Sequence, residues 1–104
     1  RALLAAAGTP AAARASEVLR WVARTHVVDG DTAAALDCLD AALAVAVAWG
    51  DDRATGYAVN SIANVRWFEG DIEAAAALYG EARALAERTG DGRLAGMAAQ
   101  HLGV

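Results

Sequence analysis

Residues 62–82 read IANVRWFEGDIEAAAALYGEA. A large-small pair, Ile62-Ala63, leads to Gly70-Asp71, and then Ala75 and Ala82 stand either side of Tyr79. Forty residues earlier the same succession runs Val22-Ala23, Gly30-Asp31, Ala35, Leu39 and Ala42. The step continues outward, from Gly50-Asp51 to Gly90-Asp91, Arg53 to Arg93 and Gly56 to Gly96. A fixed period in the range of about 20–50 residues marks stacked units that share one continuous core. Such an array favours a binding scaffold over an enzyme.

Each Gly-Asp pair reads as a helix-to-helix turn. Glycine ends one helix, and aspartate caps the next, because its carboxylate accepts from orphan N–H groups and meets the positive end of the helix dipole. The helices are expected at about Ala11–Val28, Thr32–Trp49, Arg53–Phe68 and Ile72–Arg88, with a further helix beginning after Asp91. Thr9 offers an N-cap, with Pro10 at the first helical position, where its missing N–H costs nothing. Apolar and small residues fall at helical spacing. Leu19, Val22, Ala23 and His26 form one stripe, Ala35, Leu39, Ala42 and Ala46 another, and Ala75, Tyr79, Ala82 and Ala86 a third. No stretch alternates with period two, so no strand is expected. Short turns between such helices give antiparallel pairs.

The 104 residues suit one architectural unit. The chain is 57% hydrophobic but only 6% aromatic, so most of its apolar character is alanine, which lets helix backbones approach closely. Net charge is −4, and every one of the nine basic residues is arginine. An acidic chain without a basic stripe is a poor match for nucleic acid or an anionic membrane. Cys38 is the one cysteine, which excludes an intrachain disulfide and fits a reducing, cytoplasmic setting. No apolar run reaches the roughly 20 residues of a membrane span. The chain starts at Arg1 and stops at Val104 within the pattern, so a fragment of a longer protein is expected.

These residues resemble the tetratricopeptide repeat family. Ile62-Ala63, Gly70-Asp71, Ala75, Tyr79 and Ala82 match its signature in one unit, and Val22-Ala23, Gly30-Asp31, Ala35, Leu39 and Ala42 match it in the other. Leu102-Gly103 looks like the large-small pair of a third unit. The resemblance implies an all-α, right-handed solenoid of helix-turn-helix repeats. Residues 1–8 would end a preceding helix, 11–50 form the first unit, 51–90 the second, and 91–104 the first helix of a truncated third. The family's usual helix-ending proline is missing, and the period of 40 exceeds the common 34 or so. Long units closed by Gly-Asp are similar to those of large bacterial ATPase-containing transcriptional regulators. By that resemblance the chain is a piece of a bacterial regulatory protein.

In this family the concave wall is made by the first helix of each pair. The resemblance therefore singles out Arg20, Arg24, Tyr57, Asn60, Asn64, Trp67 and Gln100 as peptide-contacting residues, with Glu17, Val27 and Met97 beside them. Arg20 and Arg24, like Asn60 and Asn64, are four apart and share a helix face. Asparagine can satisfy both N–H and C=O of an extended peptide, and arginine can grip a carboxylate by two parallel bonds. The expected partner is thus a protein or peptide segment, acidic or C-terminal. Of the neighbours Trp67 and Phe68, one is expected in the core and one at the surface. Trp49 is expected to pack beneath the next pair.

Other chemistry is poorly supported. Asp29-Gly30-Asp31 and Asp51-Asp52 lack the further ligands and closing glutamate of a calcium loop, so they read as helix caps. His26 reads as a packed histidine, and Cys38, which aligns with Leu78, as a small apolar residue. A phosphate loop of the usual form needs a lysine, and the chain has none. No cofactor and no catalytic role are expected. Two other functions stay open: a small-molecule sensor region, and a structural spacer or self-association module joined end to end.

Overall fold

The computed structural model describes the backbone of residues 10–102 and the side chains of residues 14–100. Five helices follow one another: α1 (Pro10–Val28), α2 (Thr32–Ala48), α3 (Asp52–Phe68), α4 (Ile72–Thr89) and α5 (Gly92–Leu102). No strand occurs among the described residues. Pro10 opens α1 as its sequence position implies. Thr9 and residues 1–8 lie outside the described residues, as do Gly103 and the His101 side chain.

The turns repeat one device. Asp31, Asp51, Asp71 and Asp91 each accept from the backbone N–H three residues on, at 3.0, 3.0, 3.2 and 3.1 Å. The backbone N–H of the same four aspartates donates to the carbonyls of His26, Ala46, Arg66 and Ala86, at 2.8–2.9 Å. Each aspartate therefore closes one helix with its main chain and starts the next with its side chain. The reversal requires a left-handed residue between the two roles. Gly30, Gly50, Gly70 and Gly90 supply it, with φ of 81°, 68°, 85° and 73°.

Consecutive helices pack as neighbours, α1 on α2, α2 on α3, α3 on α4 and α4 on α5. The first helices of successive units also meet, α1 with α3 and α3 with α5. The second helices α2 and α4 make no comparable backbone approach. An array whose first helices touch while its second helices splay is bent toward the first-helix side. The two-layer slab measures 42 × 30 × 17 Å, its thin dimension being less than two full helix diameters of about 10–12 Å each.

The core follows the period. Ala23 and Ala63, Ala35 and Ala75, Leu39 and Tyr79, Ala42 and Ala82, and Ala46 and Ala86 are all buried. Small residues dominate because the helix backbones approach closely there. Two clusters result. Ala23, Ala35, Leu39, Ile62 and Val65 make one, and Val59, Ala63, Ala75, Tyr79, Ala82 and Ala98 the other, with Leu43 and Leu78 packed against both. Cys38 is half-buried against the first cluster, in the apolar role expected of it. The expected α1 stripe is corrected at Val22, which is 42% exposed. Val18 and Trp21 on the same helix are exposed as well. His26 and Trp49 are half-buried.

Candidate functional site

A groove of about 960 Å³ lies on the first-helix side. Its walls come from three helices that point the same way. Glu17, Arg20, Trp21, Arg24, Val27 and Val28 come from α1, Tyr57, Ser61, Asn64, Trp67 and Phe68 from α3, and Arg93 and Met97 from α5. Leu39 and Tyr79, from the second helices, reach its floor. The forty-residue register explains the convergence: Glu17, Tyr57 and Met97 occupy one level, Arg24 and Asn64 another, Val28 and Phe68 a third.

Five of the seven residues singled out from the sequence line this groove: Arg20, Arg24, Tyr57, Asn64 and Trp67. Two do not. Asn60 is only 2% exposed, and its Oδ1 has no hydrogen-bond partner in the structure. It lies one turn on from Gly56, on the flank where Leu94 of α5 and Leu85 of α4 come close. Gln100 is exposed, but stands outside the groove lining. The expectation that one of Trp67 and Phe68 is buried is also corrected, since they are 41% and 71% exposed. Both stand in the last turn of α3, where the helix ends beside the groove. Trp21, Ser61, Phe68 and Arg93 are lining residues that the sequence did not single out. The matching levels of Trp21 and Ser61, and of Phe68 and Val28, were the available signal.

The polar side chains are held in place from several helices. The Arg20 guanidinium sits over the Tyr57 ring, 5.0 Å from its centroid, bridging α1 and α3. Burial holds Arg20 below the usual arginine value, against the opposing pull of Glu17, Tyr57 and Asp51. Its Nε is buried and lacks an acceptor. Arg24 lies over the Trp21 ring at 5.9 Å. The Tyr57 hydroxyl donates to Asp91, which also receives the Leu94 N–H at 3.1 Å and pairs with Arg53 at 3.3 Å. Burial, and then the bond to Asp91, raise Tyr57 above the ordinary phenol value. The Leu94 N–H, the Tyr57 hydroxyl and Arg53 together lower Asp91 below the ordinary carboxylate range, against a partial desolvation that raises it. Below them, the Tyr79 hydroxyl donates to Asn64 Oδ1, which fixes the amide that faces the groove.

With three arginines and one glutamate, the lining carries a formal charge of +2 within a chain of net charge −4. The arrangement can receive an anion and an apolar group. Nothing in it pairs a nucleophile with a base. Among the described residues, no three His, Cys, Asp or Glu side chains are grouped to hold a metal ion, and no helix is long and apolar enough to cross a membrane.

Neither a curated protein nor a solved structure matches the chain. The family model described as tetratricopeptide repeat matches residues 14–88, a span that takes in both Gly-Asp-closed helix pairs and most of the groove. Five helices in antiparallel pairs, a forty-residue period in the core and that match together place the chain in the tetratricopeptide repeat family, a non-catalytic, protein-interaction repeat built as an all-α solenoid.

Proposed function

We propose that this array binds an extended peptide or protein segment in the groove formed by α1, α3 and α5. The observation that carries this reading is the convergence of polar and aromatic side chains from three parallel helices on one concavity, away from the core. Arg20 and Tyr57 are already stacked, and Asn64 is already oriented by Tyr79, so little side-chain freedom is lost on binding. The excess of arginine favours an acidic segment.

The test is a random peptide library displayed on phage and panned against the chain. Peptides that bind should lose affinity at Arg24→Glu and keep it at Glu81→Arg, an exposed position outside the groove lining, with helix content unchanged by circular dichroism. Peptides indifferent to Arg24→Glu would place the binding surface elsewhere and defeat this reading. Membership of a larger bacterial regulator, and a cytoplasmic setting, rest on the long period and the lone Cys38. Sequencing the flanking coding region for a nucleotide-binding or DNA-binding neighbour tests the first.

A further inference from the structure

Charge in the groove is sorted along the helix axes. Because α1, α3 and α5 run in one direction with a forty-residue register, positions can be ranked by level. Arg93 stands at the N-terminal end, level with Arg53, and Arg20 and Arg24 stand midway. Past Arg24 the lining contains no charged residue: Val27, Val28, Trp67, Phe68 and the buried Val65 remain. Of these, Val28 is 80% exposed, Phe68 71% and Trp67 41%. Large apolar side chains grouped at the surface mark an interaction site when they adjoin a polar rim. Here that rim is cationic, and the buried Nε of Arg20 lacks an acceptor.

Resting on the concave-face reading above, we infer that the groove reads two features of its ligand together: a carboxylate in its charged part, at Arg20 and Arg24 with Arg93 beyond them, and a bulky apolar side chain at the Trp67 and Phe68 end. The occupant is therefore an acidic peptide segment interrupted by an aromatic or large aliphatic residue. From the Arg20 level to the Phe68 level is eight residues of helix, about 12 Å at 1.5 Å per residue. An extended peptide lying along the helices covers that in about four residues at 3.3 Å each. A purely acidic segment leaves the aromatic end wet, and a purely apolar one leaves the net +2 of the lining, three arginines against Glu17, unbalanced. Charge complementarity selects against a second copy of this chain as the occupant, unless it brings an acidic segment of its own. The concave shape selects against a flat lipid surface.

The experiment compares peptides selected from a random dodecapeptide library by the unmodified chain, by Arg24→Ser/Arg93→Ser and by Phe68→Ser, all three positions being exposed. Peptides selected by the unmodified chain should pair an aspartate or glutamate with a large apolar residue within about four positions. Replacing either feature in a selected peptide should weaken it at least tenfold by fluorescence anisotropy. The arginine variant should lose the acidic preference and keep the apolar one, and Phe68→Ser the reverse. Selected peptides that depend on the groove but carry only one of the two features overturn this inference and leave the concave-face reading intact. Selected peptides that neither variant affects overturn both. Concentration-dependent mass abolished by Phe68→Ser, or binding to phosphatidylserine vesicles lost in the arginine variant, assigns the surface to a second copy or to a membrane, and likewise overturns it.

Discussion

Gly56 and Gly96 occupy equivalent places one period apart, yet their surroundings differ. A methyl group added at Gly56 would come within 2.5 Å of Leu94 Cδ2 and 3.3 Å of Leu85 Cβ, whereas one at Gly96 meets nothing within 4 Å. Leu94 is fully buried, so it has little room to yield. Replacing a mid-helix glycine by alanine gains about 1 kcal/mol of helix propensity. Overpacking a filled core costs about 1–3 kcal/mol. Gly96→Ala should therefore raise the thermal midpoint, while Gly56→Ala should lower it or at best leave it unchanged, as thermal unfolding by circular dichroism will show. The sequence displays the recurrence of the two glycines but not this difference, because the difference lies in which neighbouring helix stands opposite. Asp91 supplies a second expectation at this scale. The Leu94 N–H, the Tyr57 hydroxyl and Arg53 lower its folded-state pKa, so the stability it contributes is present above the ordinary carboxylate value. That contribution is lost as pH falls below about 4 and on through the depressed folded value. Asp91→Asn should flatten this part of the stability-versus-pH curve, and a curve as steep as that of the unmodified chain would contradict the assignment.

At the scale of the element, the Gly-Asp turn does most of the specifying. Four helix boundaries were readable because two residue types with distinct backbone and side-chain roles stand side by side at each. Asp71→Ala removes the acceptor for the Ala74 N–H and should cost about 1 kcal/mol. Gly70→Ala places a Cβ at φ 85° and should cost about 1–2 kcal/mol, although nothing lies within 4 Å of that Cβ. Equal stability of Gly70→Ala and the unmodified chain in urea unfolding would show that the turn relaxes out of the left-handed region. The helix faces were less readable than the helix ends. Spacing gives the angle of a side chain about its own axis, and whether that angle is buried depends on how many helices surround it. Asn60 shares a face with Asn64 by spacing, but α3 is packed against α1, α2, α4 and α5, and it buries eight of its residues, Asn60 among them. Its equivalent Arg20, on the outer helix α1, keeps access to the groove. Trp67 and Phe68 escape burial for the opposite reason, since they stand in the last turn of α3, beyond its packed stretch.

Across the whole molecule, contacts are nearest-neighbour in character. Helix α1 meets only α2 and α3 among the described helices, and α5 meets only α4 and α3. Stability of such an array is approximately a sum of unit terms and interface terms, so damage at one end need not spread evenly. The two ends of the described array allow this to be measured. Leu39 is 1% exposed in the cluster shared by α1, α2 and α3, while Leu94, outside both clusters, is fully buried on α5. Leu39→Val removes one methylene from the first and should cost about 1 kcal/mol. Amide hydrogen exchange should then speed up most in α1 and α2 and least in α5, and Leu94→Val should give the opposite gradient. The coupling between them passes through α3, together with Leu43 and Leu78, which pack against both clusters. Protection in α3 should therefore fall with either substitution. A uniform rise in exchange for both variants would mean that the described helices open as a single cooperative unit. The groove would then be as stable as the core beneath it, and its three walls would open together.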